Sequence, residues 1–321
     1  MPRRFLALPA ATLVALAFAG VAAADAGLAP VTPVSPNANA IRQTYFVILA
    51  VTGVIFVLVE GALILFIVRF RGRGRARGQD GAQIHGATKL ETASTIVPVL
   101  ILAGIAAFVF VKLPTIKNVP TASAANGALQ IEVEGHQYYW QFHYPRGQVA
   151  FQHMVVPLGR VVELTVVSPD VIHSWWVPAL GGKIDAIPGR TNHTWFKAQK
   201  LGSFEARCAE LCGLEHAHMI GWVDVVTPAA YARFLASHTG ASSAIGKEVF
   251  EGVCATCHGL SGQGDYGPPL VGNGTVADPN ALEQLLRTGK NKMPAVGKDW
   301  DDETMQSATS YLKGRFGGGQ G

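Results

Sequence analysis

Apolar residues run almost unbroken from Phe5 to Val21, from Tyr45 to Val68 and from Ala93 to Val111, after which the spacing changes to alternation. The first run follows Arg3 and Arg4 and ends in Ala22-Ala23-Ala24. That charged, apolar, small-residue order predicts a signal peptide over 1–24, the alternative being a first membrane helix that stays. The second run is broken only by Glu60 and, at about 1.5 Å per residue, crosses a hydrocarbon layer of roughly 30 Å. An ionisable group inside such a span is expected to face a protein neighbour rather than lipid. The third run returns the chain. The pattern therefore predicts an exported segment over 25–44, spans over 45–68 and 93–111, and a loop over 69–92 between them. That loop opens with Arg69, Arg71, Arg73, Arg75 and Arg77, which beside a span reads as the cytoplasmic, positive side rather than as a nucleic-acid patch. Everything after Lys112 is then expected outside the cytoplasm.

From 125 to 228 the period is two. Leu129-Gln-Ile-Glu-Val, Val161-Val-Glu-Leu-Thr-Val-Val and Trp222-Val-Asp-Val-Val, punctuated by Pro and Gly, predict an all-β sandwich or barrel. The composition turns small and polar after Ala236, so 229–243 reads as a linker, and 244–316, which opens on the helix-like Ile245-Gly-Lys-Glu-Val-Phe, as a last compact domain. Composition sharpens this picture. Hydrophobic residues are 49% of the 321 and charged residues 15%, which excludes a disordered chain. The formal net charge of +4 is too small to imply a polyanionic partner, so no nucleic acid is expected.

The candidate chemistry is concentrated in two short motifs. Cys208-Ala-Glu-Leu-Cys212-Gly-Leu-Glu-His216-Ala-His218-Met219, with His173 upstream, offers two thiolates, two imidazoles and a thioether, a soft set that selects copper over hard cations. A tetrahedral zinc site would leave Met219 unused, a mononuclear copper site would leave one thiolate idle, and a Cys208–Cys212 disulfide is chemically permitted outside the cytoplasm. Two thiolates bridging two copper ions use every donor. The second motif, Cys254-Ala-Thr-Cys257-His258, is the pattern for covalent haem attachment, with His258 on the iron. Lys292-Met293-Pro294 resembles the sixth-ligand segment of small class I cytochromes c; Met305 is the rival.

Several motifs together resemble subunit II of the haem–copper cytochrome c oxidases: Leu90-Glu91-Thr and Ile96-Val-Pro, Gly135-His-Gln-Tyr-Tyr-Trp, His173-Ser-Trp, Asp185-Ala-Ile-Pro-Gly-Arg190 and the Cys208 to Met219 run. The resemblance implies a two-helix transmembrane hairpin carrying an all-β, cupredoxin-like Greek-key domain, followed here by an all-α cytochrome c domain. It implies a dinuclear CuA centre of two copper ions, with Cys208 and Cys212 bridging, His173 and His216 binding one ion each, Met219 as a weak ligand and Glu210 ligating through its carbonyl. It also implies a magnesium ion shared between the Glu210 side chain and subunit I, proton uptake assisted by Glu91, and electron entry in the region of Tyr138. The partners implied are subunits I and III, membrane lipid and an external donor, a cytochrome c or an upstream respiratory complex. The location implied is a bacterial inner membrane with the metal domains outside. The chain departs from the family pattern in having Tyr138 and Ser94 where Trp is usual. The expected function is an electron wire in a proton-pumping oxidase: external donor to haem c, haem c to CuA, CuA to the oxygen-reducing subunit I. A membrane-tethered copper-delivery protein with an appended cytochrome is the alternative, and a quinol oxidase subunit, which lacks the copper ligands, a third. With the expected linker acting as a flexible tether, the attached haem needs no docking patch.

Overall fold

The computed structural model describes residues 29–71, 83, 86–120 and 127–318. The predicted signal peptide and Arg73, Arg75 and Arg77 lie outside them. The chain divides into two compact units, one of 39–116 and the other of 32–38 with the residues from Lys117 onward.

The first unit is a helical hairpin. Helix α1 spans Pro36–Arg69 and α2 spans Thr88–Lys117, both apolar enough to cross a membrane. Both outrun the predicted spans 45–68 and 93–111, and the exported segment 25–44 is helical from Pro36 onward. A proline at the first helical position lacks only an N–H that would be orphaned anyway, so Pro36 starts the helix rather than preventing it. At the start of α2, Ala87 N donates to Glu91 Oε1 at 3.0 Å, satisfying one first-turn donor and carrying the helix five residues upstream of Ala93. Lys112 Nζ donates to Gln43 Oε1 at 3.1 Å, tying the two helices antiparallel.

The second unit opens with a β-sandwich of two five-stranded sheets. Its strands are β1 (Leu129–His136), β2 (Tyr139–His143), β3 (Val149–Phe151), β4 (His153–Pro157), β5 (Val161–Val167), β6 (His173–Trp176), β7 (Ile184–Ala186), β8 (Asn192–Lys197), β9 (Gly202–Cys208) and β10 (Ile220–Val226). The sheet orders are β3-β2-β1-β5-β8 and β4-β10-β9-β6-β7, with β1 parallel to β5 and β4 parallel to β10. This is the expected cupredoxin-like Greek-key arrangement. Alternation sends Leu129, Ile131, Val133, Val162, Leu164 and Val166 inward, where they meet Trp140, Phe142, Met154 and Val223. Each such side chain contributes about 1.5–3 kcal/mol of transfer free energy.

Residues 228–318 are helical. Helix α3 (Pro228–Ser237) is capped by Thr227 Oγ1, which accepts from Ala230 N. It packs Tyr231 and Phe234 against Tyr144 of the sandwich. The predicted linker over 229–243 is therefore mostly an ordered helix: Thr-Pro is a start signal that its small, polar residues disguise. Helix α4 (Ser243–Val249) continues through a π-type turn (Phe250–Cys254) into α5 (Ala255–His258), and α6 (Gly274–Ala277), α7 (Pro279–Thr288) and α8 (Asp302–Phe316) complete the domain. Helices α4 and α8 cross at Gly246, where an added Cβ would run into Ser307 O and the Tyr311 side chain.

The helical domain is not tethered at a distance. Tyr139 and Phe151 from the outer face of the first sheet belong to its apolar cluster with Trp300, Val249 and Phe250. Tyr139 is only 1% exposed; its hydroxyl donates to Val296 O at 2.8 Å and accepts from Trp300 Nε1 at 3.1 Å. Glu248 accepts from Phe151 N at 3.1 Å through one oxygen and pairs with His238 Nε2 at 2.8 Å through the other. Gly252 sits directly on the Gln152 side chain. The expected flexible tether is replaced by a packed seam, because apolar rings on a sheet face are stabilised by cover.

Candidate metal and haem centres

Strand pairing assembles the first centre. β6 lies beside β9 with Trp175 opposite Cys208, which brings His173 next to that cysteine, and the β9–β10 hairpin carries the loop from Cys208 to Met219. Cys208 N donates to Met219 O at 3.1 Å, closing the loop at its base. Within it, Cys208 Sγ and Cys212 Sγ are 3.8 Å apart, Cys208 Sγ is 3.9 Å from His173 Nδ1, Cys212 Sγ is 3.5 Å from His216 Nδ1 and 3.8 Å from Met219 Sδ. The Glu210 carbonyl oxygen lies 3.1 Å from Cys208 Sγ. All six predicted donors thus converge, and both cysteines are free, so no disulfide occupies them. His218 is turned away and pairs with Glu215 at 2.6 Å. The Glu210 side chain also points away from the sulfurs, with Oε2 3.8 Å from Lys183 Nζ.

The surroundings fix these donors. Asp170 Oδ1 holds His173 Nε2 at 2.8 Å, leaving Nδ1 to face the thiols. Burial disfavours the charged forms of both, yet the pair prevails: Asp170 is held below its ordinary value by His173 and by the Val171 and Gln137 N–H groups, and His173 is raised by Asp170 and Cys208. Between the cysteines, the hydrogen bond they share pulls Cys208 down to about 3 against burial and pushes Cys212 up, so the two thiols do not lose their protons independently. Gln137 Nε2 donates to Cys212 O at 2.5 Å, and Tyr138 OH accepts from Leu214 N at 3.0 Å. Gly213, at φ +136°, rests against the Tyr138 hydroxyl with no room for a Cβ. Sequence reasoning missed Asp170, which in Ser-Pro-Asp reads as a turn residue. It also missed the direct hold of Gln137 and Tyr138 on the loop, whose only signal was their place beside His136.

The second centre is built where the π-type turn meets α5. The π-type turn and α5 put Cys254, Cys257 and His258 on consecutive turns, and His258 Nδ1 bonds Pro268 O at 2.7 Å, leaving Nε2 free for a metal. A Cβ on Gly267 would lie 2.8 Å from the His258 ring, so the glycine admits the imidazole. Burial pushes the Cys254 thiol up to about 12 and also raises Cys257. Met293 is half-buried in a turn closed by Lys290 and Met293 backbone bonds of 3.0 Å. Met305 is inside α8 and packed on Gly297, committed to the core. Glu91 caps α2 as described, with Ser94 Oγ donating to its carbonyl.

Comparison with known proteins agrees along the whole chain. Residues 25–111 match the family model "Cytochrome C oxidase subunit II, transmembrane domain", 148–226 match "Cytochrome C oxidase subunit II, periplasmic domain", and 241–312 match "Cytochrome C oxidase, cbb3-type, subunit III". Cytochrome c oxidase subunit 2 of Alkalihalophilus pseudofirmus is 30% identical over 350 residues, covering 97% of this chain and 96% of that one. Cytochrome c oxidase subunit 2 of Cereibacter sphaeroides is 32% identical over 64% of this chain and 78% of its own length. The periplasmic domain of cytochrome oxidase subunit II of Bradyrhizobium japonicum is 38% identical over 34% of this chain and 92% of that structure, with a TM-score of 0.34. The converging donors, the two-helix hairpin and a relative matched from end to end together place this chain in the cytochrome c oxidase subunit II family, as a membrane protein with an appended cytochrome c-type domain.

Proposed function

We propose that this chain is the electron-entry wire of its oxidase, holding two copper ions at the sandwich loop and a covalent haem c at the helical domain. The observation that carries this is the pair of free thiols 3.8 Å apart, each with an imidazole nitrogen beside it. Cys208 and Cys212 would bridge, His173 and His216 would bind one ion each, and Met219 and the Glu210 carbonyl would be weak ligands. Cys254 and Cys257 would hold the haem through thioethers, and His258 and Met293 would supply its iron ligands. When bound, these groups supply one-electron transfer from an external donor through haem to copper and on to subunit I, where oxygen is reduced to water and protons are pumped.

The chain's own residues set the conditions for that transfer. Asp170 orients His173; Gln137 and Tyr138 hold the loop so that donor positions change little with charge; Trp140 and Trp175 exclude water behind it. The copper-delivery alternative needs exposed, exchangeable donors, and Cys208, Cys212, Met219 and His173 are all buried. The quinol oxidase alternative has no use for this donor set. The exposed Glu210 carboxylate is the proposed contact to a magnesium ion shared with subunit I. Glu91 is proposed to assist proton uptake from the cytoplasmic face, and Glu91→Gln is expected to slow turnover with both metal spectra unchanged. Subunits I and III are the proposed partners within the complex, in a bacterial inner membrane.

The deciding experiment is electron paramagnetic resonance with a metal count on the assembled oxidase. Two coppers per chain with hyperfine coupling to both nuclei are expected, and Cys212→Ser should abolish that signal. One copper, or zinc in its place, overturns the reading.

A further inference from the structure

A second group of side chains able to hold a metal lies on the outer face of the first sheet. Period two on β1 puts Glu132, Glu134 and His136 on one face, and the β1–β2 register sets His143 opposite Glu132 and Tyr139 opposite His136. Ligand atoms of Glu132, Glu134 and His143 all lie within 4.8 Å of one another. Glu134 divides its oxygens between two rings: Oε2 is 2.9 Å from His143 Nε2 and Oε1 is 3.5 Å from His136 Nε2. The His136 side chain is only 9% exposed, and its buried Nε2 meets this carboxylate at ion-pair distance without the geometry of a hydrogen bond. A buried imidazole nitrogen whose hydrogen-bonding capacity is left unfilled requires an explanation.

We propose that Glu132, Glu134, His136 and His143 form a site for a divalent cation of the zinc class, separate from the copper centre. Two imidazoles and two carboxylates are a nitrogen and oxygen set that suits zinc, whereas calcium and magnesium take all-oxygen sets and copper(I) wants sulfur. Two donors about 2.0–2.1 Å from one tetrahedral ion lie roughly 3.4 Å apart, close to the separations already present. The surrounding field favours a cation. Asp301, at the cap of α8, acts on His143 with the same sign as Glu132 and Glu134. The site also touches the seam, because the His136 ring stacks on Tyr139 with centroids 4.6 Å apart and planes at 6°. An ion here would join β1 to β2 and fix the ring that backs the main interdomain contact.

The test is zinc content and affinity, measured by mass spectrometry after equilibrium dialysis of the assembled oxidase, for wild type, Glu132→Gln and His143→Gln. Wild type is expected to hold one more zinc per chain than either variant at the same free zinc, or to bind it at least tenfold more tightly. The two-copper resonance should be the same in all three, which reports folding from an independent site. Should one variant lose that resonance, the other decides. Equal zinc stoichiometry and affinity in wild type and a folded variant overturns the proposal.

Discussion

Met293 and Met305 are equally good iron ligands by chemistry, and only burial separates them. Met305 is 2% exposed and pressed against Gly297, so Met305→Leu is a near-isosteric core change expected to cost less than about 1.5 kcal/mol and to leave the haem spectrum unaltered. Met293→Leu is expected to keep haem attached, lower its potential and admit carbon monoxide, read from difference spectra. Asp170→Asn removes the charge that orients His173, and losing such support typically lowers metal affinity about 10–100-fold, which a copper titration would show. The convergence of these donors was legible because soft donors at fixed spacing have few other uses. Asp170 was not, since a carboxylate after Ser-Pro has an ordinary turn role and only the fold brings it beneath the imidazole.

Among the elements, the strands were readable from alternation, whereas helix α3 was not: Tyr231, Phe234 and Leu235 stand among alanines in a helix too short to show a clear period, and the partner Tyr144 is distant in sequence. The span boundaries were short for a related reason, because a helix apolar all round has no period to mark its ends. The crossing of α4 and α8 depends on Gly246, and Gly246→Ala is expected to destabilise the haem domain by about 1–3 kcal/mol, measured by denaturant melts. At the end of α3, burial lowers the His238 pKa but Glu248 more than restores it, so the net shift is upward from 6.5. A raised folded-state pKa contributes stability that is fully present below about 6.5 and is lost as pH climbs through the folded value. Docking of the haem domain is therefore expected to weaken above neutral pH, and His238→Gln to flatten that dependence in melts from pH 6 to about 8.5.

For the whole molecule, the proposed route of electrons would cross the seam. Removing residues from about 240 onward is expected to leave the two-copper signal while severely cutting oxidation of external cytochrome c, assayed as oxygen uptake by the assembled enzyme. Full-rate oxidation of the physiological donor by that truncation would make the haem domain an accessory. Tyr138→Trp in the truncated enzyme should recover part of the rate, although it forfeits the hydroxyl that accepts from Leu214 N. The sequence announced two exported domains but not their contact, because Tyr139 and Phe151 read as ordinary strand aromatics until a second body covers them. That cover also changes how the molecule comes apart. With Tyr139, Phe151 and Trp300 in one apolar cluster, opening either domain leaves rings of the other in water, so their unfolding free energies are coupled. The exported half is expected to melt in a single calorimetric transition, and a substitution confined to the haem domain should lower the temperature at which the copper signal disappears.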